Sequence, residues 1–388
     1  MNDLLKALAD SRSQAPELWA ELKHYGFQEQ YHLIRVHRRF VSWGLCELLC
    51  QESLRLTTID PGRAVEFAEL SVLVSDLLKE KEEELDGARR LYQLRGYAWA
   101  HDGNARRVLG DLRSADESFS IAEAWWEAGE EGIGDALGYE PVLLDLKASL
   151  RITQRRFQEA LSLLDRLFRL HTDAGRPEHQ DAHLAGRALV RKALALSEME
   201  EPEFAIGLLQ EAEPLVDGQR DPRLLLCLRH NLLVNLTGVG EYREAQALMP
   251  AVATLCREIG NPLDLIRLRW VEGRIAAGLG CTGEAIQLFQ TVRREFAERG
   301  IAYDAALVTL DLTALRALEG HTSEVKKLSL EVAEIFRAQD VPREALAALL
   351  FFQKAAERER ATATLTREIA AFLGKLRSDP GLRFESSN

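Results

Sequence analysis

Two histidines stand four residues apart in His179-Gln180-Asp181-Ala182-His183, with His171 and Asp173 close by. On a helix that spacing puts both imidazoles on one face, where a pair of them can chelate a metal ion. The glutamate that a His-Glu-x-x-His protease uses as its base is absent, and the segment falls in a link where polar residues are expected anyway. Cys46 and Cys50 share the same spacing, but no second Cys or His pair at zinc-site distance accompanies them. Gly132-Ile133-Gly134-Asp135-Ala136-Leu137-Gly138 has the look of a dinucleotide loop. Its glycine spacing is wrong, and a helix ending in Trp125-Trp126 stands where a strand is required, so it reads as a long link. No Gly-x-Ser-x-Gly, no phosphate-binding Gly-x-x-x-x-Gly-Lys-Ser/Thr and no kinase motif set occurs. The run Glu82-Glu83-Glu84 belongs to a charged helix face rather than to an acid–base pair. The expectation is a protein with no catalytic residues, no cofactor and no metal.

The elements that carry these residues belong to a chain of 388 residues, enough for about two to three domains. With 46% hydrophobic and 28% charged residues it has the composition of a folded globular protein. Lys and Arg number 49 against 61 Asp and Glu, a balance of −12. A phosphate backbone wants a basic footprint, so neither nucleic acid nor an anionic membrane is an expected partner. The opening Met1-Asn2-Asp3-Leu4-Leu5-Lys6 lacks a basic stretch followed by an apolar one, and no run approaches the roughly 18 apolar residues of a membrane span. Cys46, Cys50, Cys227, Cys256 and Cys281 are too sparse for a disulfide framework. They read as small buried residues in a reducing, cytoplasmic setting.

One period dominates the sequence. Small residues at 115, 160, 205, 245 and 285, and Val325 after them, each open an amphipathic helix after a turn, in steps of 45, 45, 40, 40 and 40. Ala160 is followed by Leu163, Leu164 and Leu167, and Ala285 by Leu288, Phe289 and Val292: one face of an α-helix at period 3.6. A second small residue lies twelve positions upstream, as Ala148 before Ala160, Ala193 before Ala205 and Gly273 before Ala285. Leu233 and Thr313 hold that place before Ala245 and Val325. Small residues at both places let two antiparallel helices approach closely. Sustained period-2 alternation is absent, whereas Asp60-Pro61-Gly62, Glu201-Pro202, Asp221-Pro222, Asn261-Pro262 and Val341-Pro342 mark helix starts or breaks.

This pairing of helices, with small residues at the eighth and twentieth positions, resembles the tetratricopeptide repeat (TPR), in the longer form found in bacterial regulators and adaptors. The resemblance spans about residues 84–340 and, more weakly, 31–78. It lacks the family's early Trp, its usual Tyr at the eleventh position and a regular closing Pro. It implies an all-α, right-handed superhelical solenoid of antiparallel helix pairs, with capping helices at both ends. One hairpin cannot bury its own apolar face, so neighbours stack into a continuous core. The resemblance also implies a concave surface lined by the first helix of each pair. Counting back from the small residues places Asp145, Ser149, Arg187, Val190, His230, Val234, Arg267, Trp270 and Arg274 on it. In the first copy the hairpin turn is read as longer, and anchoring on Gly96 adds Arg90, Gln93 and Tyr97. Arg, Trp and Tyr are the types that most often dominate binding energy. The Lys/Asn set with which family members clamp a C-terminal carboxylate is not reproduced.

Four segments follow: 1–58, an N-terminal helical cap or docking module; 59–340, the repeats; 341–376, C-terminal capping helices; and 377–388, a flexible tail in which Leu382 and Phe384 are candidate anchors. The functional expectation is a non-enzymatic scaffold, adaptor or regulatory subunit holding a protein or peptide segment in the groove. The alternative is a signal-responsive regulator whose superhelix changes conformation when a small peptide binds.

Overall fold

Pro sits at the first helical position behind a capping side chain at several helix starts, and those starts are where the sequence places them. Asp60, Asp221 and Asn261 accept the backbone N–H of Arg63, Leu224 and Asp264 respectively, at 3.0, 2.9 and 3.0 Å. Pro has no N–H to lose there and its fixed φ suits the first turn. The computed structural model describes residues 2–57, 59–79, 85–130, 135, 137–175, 179–337, 349–350, 352–353, 356, 362–376 and 382. Val341-Pro342, Phe384, Glu82-Glu83-Glu84 and most of the dinucleotide-like loop lie outside them, as does much of the 341–376 segment before α17.

The described residues form helices and no strand. The helices are α1 (Asn2–Leu22), α2 (Phe27–Val36), α3 (Trp43–Leu56), α4 (Pro61–Leu77), α5 (Leu85–Leu109), α6 (Leu112–Glu130), α7 (Glu140–Thr153), α8 (Phe157–Thr172) and α9 (Ala182–Glu198). They continue with α10 (Pro202–Ala212), α11 (Pro222–Val239), α12 (Tyr242–Ile259), α13 (Pro262–Gly278), α14 (Thr282–Glu298), α15 (Ala302–Leu318), α16 (Thr322–Arg337) and α17 (Ala363–Leu376). A 3-10 turn, Arg38–Phe40, follows α2.

The repeat period is written into the backbone as well as the side chains. Left-handed φ angles occur at Gly110, Arg155, Glu200, Gly240, Gly280 and Gly320, each five residues before the small residue that opens the next helix. Each closes a helix and turns the backbone around. Glycine takes this conformation freely at four of the six places, whereas Arg155 and Glu200 hold it against steric cost.

Contacts divide the protein into two compact units, Met1–Glu201 with Pro214–Val216, and Pro202–Glu213 with Asp217–Asn388. In the first unit α1 packs on α3 and α2 on α4. Then α3 packs on α4, α4 on α5, α5 on α6 and α7, α7 on α8, and α8 on α9. Residues on both sides of the 58/59 boundary expected from sequence therefore share one core, which runs from Leu22 and Ile34 through Phe67 and Leu94 to Phe119 and Leu150. A second cluster joins α7, α8 and α9 through Leu144, Ala148, Leu164, Leu167, Leu170 and Ala188.

The small residues do what their spacing predicts: Ala115, Ala148, Ala160, Ala193, Ala205, Ala245 and Ala285 are all fully buried. Gly273 carries the requirement furthest, since a β-carbon there would lie 2.6 Å from the ring of Phe289. The same relationship recurs at Gly103, twelve residues before Ala115, whose β-carbon would lie 2.7 Å from Phe119. The first copy therefore keeps the common register. Its turn, between α5 ending at Leu109 and α6 starting at Leu112, is not longer than the others. Gly96 is a further close approach one stretch upstream, with its hypothetical β-carbon 2.9 Å from the carbonyl oxygen of Ala122.

In the second unit α10 packs on α11, and the succession continues pairwise to α16, with α11 also on α13 and α13 on α15. Helix α17 lies on α15, and Leu349, Phe352, Ile369, Phe372 and Leu373 bury with Ala306, Leu310 and Val332. Leu382 packs against that cluster. One expectation is corrected: Cys46, Cys50 and Cys256 are buried and Cys227 half-buried, but Cys281 is exposed. It occupies the residue before α14, outside the stripe that faces the core.

Candidate functional site: a guanidinium-lined cavity

Three of the expected lining residues meet in one place. Asp145 and Ser149 on α7 and Arg187 on α9 face a cavity of about 310 Å³ in the first unit, together with Asn104 and Arg107 of α5 and Arg191 of α9. Leu54 of the α3 end, Pro141, Val142 and Leu146 of α7, Leu167 of α8 and Leu184 of α9 form an apolar wall, and Thr57 and His171 also line the space. The geometry follows from helix periodicity. Asp145 and Ser149, like Arg187 and Arg191, are i and i+4 on one helix face.

Asp145 is the hub. Its carboxylate accepts from Arg187 Nη2 at 3.0 Å and Arg191 Nη1 at 2.5 Å. Arg191 Nη1 also donates to the Asp145 carbonyl at 3.0 Å and to Ser149 Oγ at 2.8 Å. Arg107 takes neutral acceptors, with Nη2 donating to Asn104 Oδ1 at 2.9 Å and Nη1 to Thr153 Oγ1 at 3.4 Å. Burial, and after it the charge of Arg191, pulls Arg107 below the ordinary arginine value, while Asp145 opposes them. Asn104, Arg107 and Arg191 are absent from the set read off the sequence. Anchoring the first copy on Gly103 instead of Gly96 would have brought in the first two, and the Arg187/Arg191 spacing the third.

The other expected residues are distributed elsewhere. Tyr97 is buried, stacked on Tyr139 at 4.3 Å and edge-on to His101 at 4.5 Å. It borders a second cavity of about 410 Å³ with Arg12, Glu47 and Tyr139. There Arg12 pairs with buried Glu47 at 2.6 and 2.7 Å, the Tyr139 hydroxyl donates to Glu47, and Trp43 Nε1 donates to the Tyr139 hydroxyl at 2.9 Å. Gln93 is fully buried and donates to the Gly129 carbonyl at 3.3 Å, which places it between α5 and α6. Arg90 is buried as well.

In the second unit Trp270 Nε1 and Arg274 Nε both donate to Asp311 Oδ2, at 2.6 and 2.8 Å, and the Arg274 guanidinium lies 4.7 Å over the indole. Trp270 also meets Phe296 edge-on. His230 on α11 lies in the field of Asp264 and Arg267 on α13 and of Arg223. Burial lowers its pKa, and Arg267 and Arg223 act in the same direction against Asp264. Arg223 is itself paired with Asp264.

His179 lies before the start of α9 and His183 within it, so the two do not share a helix face. His171 Nδ1 lies 2.9 Å from the His179 carbonyl, and His179 Nε2 lies 3.8 Å from Asp135. Among the described residues no three His, Cys, Asp or Glu side chains converge as a metal centre. Asp135 accepts the N–H groups of Tyr139 and Glu140 at 2.9 and 2.8 Å and so caps the start of α7. Among the described residues no helix is long and apolar enough to cross a membrane.

No protein-family model matches the sequence, and no curated protein does. Among solved structures the protein is similar to a Rap protein complexed with Competence and Sporulation Factor. The TM-score is 0.52 and the identity 14%, over 87% of this chain and 94% of that one. It is also similar to aspartyl phosphate phosphatase F from Bacillus subtilis, with TM-score 0.52 and 10% identity over 97% of each chain. The apo form of RapI superimposes with TM-score 0.49 at 13% identity, over 71% of this chain and 99% of that one. The likeness is one of fold, and with the hairpin register above it defines the class: an all-α, TPR-like helical repeat protein.

Proposed function

We propose that the protein is a non-enzymatic scaffold, adaptor or regulatory subunit that binds a segment of another protein, and that the α3–α5–α7–α8–α9 cavity is part of the binding surface. The observation that carries this reading is the convergence of Asp145, Ser149 and Arg187, residues of two successive repeats, in one cavity that also has an apolar wall. A partner segment finds there both the hydrogen-bonding groups that fix its register and the apolar contact that supplies most of its affinity. About 800 Å² per partner suffices for a specific complex, several times what one cavity offers, so the partner makes contacts beyond it. His230, Arg267, Trp270 and Arg274 are proposed as partner contacts of the second unit, and Tyr97, which borders the cavity of Arg12 and Glu47, as one of the first; Arg90 and Gln93 are buried and are not among them.

The test is affinity capture from the native host with the intact protein, with an Asn104→Ala/Arg187→Ala variant and with a Trp270→Ala/Arg274→Ala variant. The expected result is a partner, identified by mass spectrometry, that is recovered with the intact protein and lost with both variants. Recovery unchanged by either variant would sink the reading. A second reading, a regulator that responds to a small peptide, is supported by the similarity in fold to a Rap protein that was crystallised with a bound factor. Small-angle scattering with and without candidate peptides separates the two, since only the regulator changes its radius of gyration.

A further inference from the structure

We propose that the α3–α5–α7–α8–α9 cavity is an anion site, and that the segment bound there is anchored by a carboxylate or phosphate group that it carries. The inference rests on the reading of the cavity as a segment-binding site and adds the chemistry of the anchoring group.

The argument starts from charge. Arg107, Arg187 and Arg191 bring three fixed cations to the cavity lining, and Asp145 is the one carboxylate among its lining residues. Asp145 is shared by Arg187 and Arg191. Arg107 forms no ion pair with a described carboxylate, and its hydrogen bonds go to an amide oxygen and a hydroxyl. Two positive charges are thus left over in a half-buried space, where the screening that makes surface charges cheap is reduced.

Geometry adds to charge. Each guanidinium has five N–H donors in a planar fork, and the paired oxygens of a carboxylate or phosphate match that fork. One Asp carboxylate cannot neutralise three forks, and the acceptors that Arg107 finds, Asn104 Oδ1 and Thr153 Oγ1, carry no charge. The same lining has an apolar part, formed by Leu54, Val142, Leu146, Leu167 and Leu184. A free inorganic ion leaves that wall unused. An anionic group on a carbon stem, such as an acidic side chain, the terminal carboxylate of a peptide or a phosphorylated side chain, uses both halves.

The experiment uses the full-length protein and dye-labelled hexapeptides in matched sets: Asp or Glu against Asn or Gln at each position, C-terminal acid against amide, and phosphoserine against serine. Binding is read by fluorescence anisotropy, with succinate and inorganic phosphate as competitors. The expected result is a set of anionic peptides that bind at least tenfold tighter than their neutral partners. Arg107→Gln weakens those peptides about tenfold and leaves the neutral ones within about twofold. Asp145→Asn, which raises the surplus charge, tightens the anionic set, a gain that a merely structural role for Asp145 would not produce. Arg107→Lys recovers part of the loss because it keeps the charge without the fork. Circular dichroism and the urea midpoint of each variant confirm that it is folded.

Carboxylate peptides outcompeted by succinate identify a carboxylate anchor, and phosphopeptides outcompeted by phosphate identify a phosphate anchor. Either supports the proposal. Peptides that bind equally in acid and neutral form and ignore Arg107→Gln overturn it while the segment-binding reading stands. A protein that binds no member of the library overturns both.

Discussion

The ring of Phe119 on α6 lies directly over the backbone of Gly103 on α5, and a β-carbon at Gly103 would come within 2.7 Å of its Cδ2 atom. Phe119 is fully buried, so it has no free space to swing into. Gly103→Ala gains about 1 kcal/mol of helix propensity and loses about 1–3 kcal/mol to overpacking. The expected net effect is destabilisation by up to about 2 kcal/mol, read as a lower urea midpoint at unchanged slope. Phe119→Leu introduced alongside it relieves the clash, so the double variant is expected to lose less than the two single losses added together. An alanine variant as stable as the parent would remove the close approach as the reason for glycine there.

The two non-glycine residues in the left-handed turns lead to the opposite expectation. Arg155 has φ 58° and Glu200 φ 64°, at the place where the other hairpins use Gly110, Gly240, Gly280 and Gly320. Such a residue costs about 1–2 kcal/mol relative to the right-handed conformation, and glycine gives back about 0.5–1 kcal/mol of that through its looser unfolded state. Glu200→Gly is therefore expected to stabilise by about 0.5–1 kcal/mol. Arg155→Gly also loses the guanidinium that stacks 5.1 Å from the centre of the Phe157 ring, which offsets part of its gain. Thermal melts of the two variants check this, and a lower Tm for Glu200→Gly contradicts it.

These turns also mark how far the sequence can be read. The small residues and their 40- and 45-residue steps are sterically demanded, so they survive in the sequence as a visible period. The turn residues have the same period, but arginine and glutamate hide it at two places, and only the backbone angles reveal it. The lining is legible where the register is anchored on a buried small residue, as for Asp145 and Ser149 from Ala148 and for Arg187 from Ala193. It fails in α5, where two close-packed glycines compete: an anchor on Gly96 misses Asn104 and Arg107. Trp270 illustrates a different limit. Its type suggests a free binding anchor, whereas its indole N–H is already engaged across the helix pair. A single sequence shows the face a residue occupies and not the neighbour it has found.

That engagement is itself measurable. Asp311 Oδ2 accepts from both Trp270 Nε1 and Arg274 Nε, tying α13 to α15. Asp311→Ala leaves a half-buried indole N–H without its acceptor and is expected to cost about 1–2 kcal/mol. A double-mutant cycle with Trp270→Phe, which removes the N–H, isolates the bond. The expected coupling is about 1 kcal/mol, and additive losses would mean that the carboxylate serves Arg274 alone.

His101 gives the fold a pH dependence. Its ring is completely buried in α5 and stands edge-on to Tyr97, and neither ring nitrogen has a hydrogen-bond partner among the described residues. Burial opposes the charged form and pushes its pKa down to about 3, from 6.5 when exposed to water. Between those two values the unfolded state binds a proton that the native state refuses. Stability contributed by the neutral ring is therefore complete above pH 6.5 and declines as pH falls toward 3, by up to ~1.4 kcal/mol per pH unit. His101→Leu has similar volume and no proton to bind, so it lacks this decline. The urea midpoint of the parent relative to that of the variant is expected to fall between pH 7 and pH 5. A parent-to-variant difference that stays constant between those two pH values would mean that the native ring takes up its proton as readily as the unfolded one.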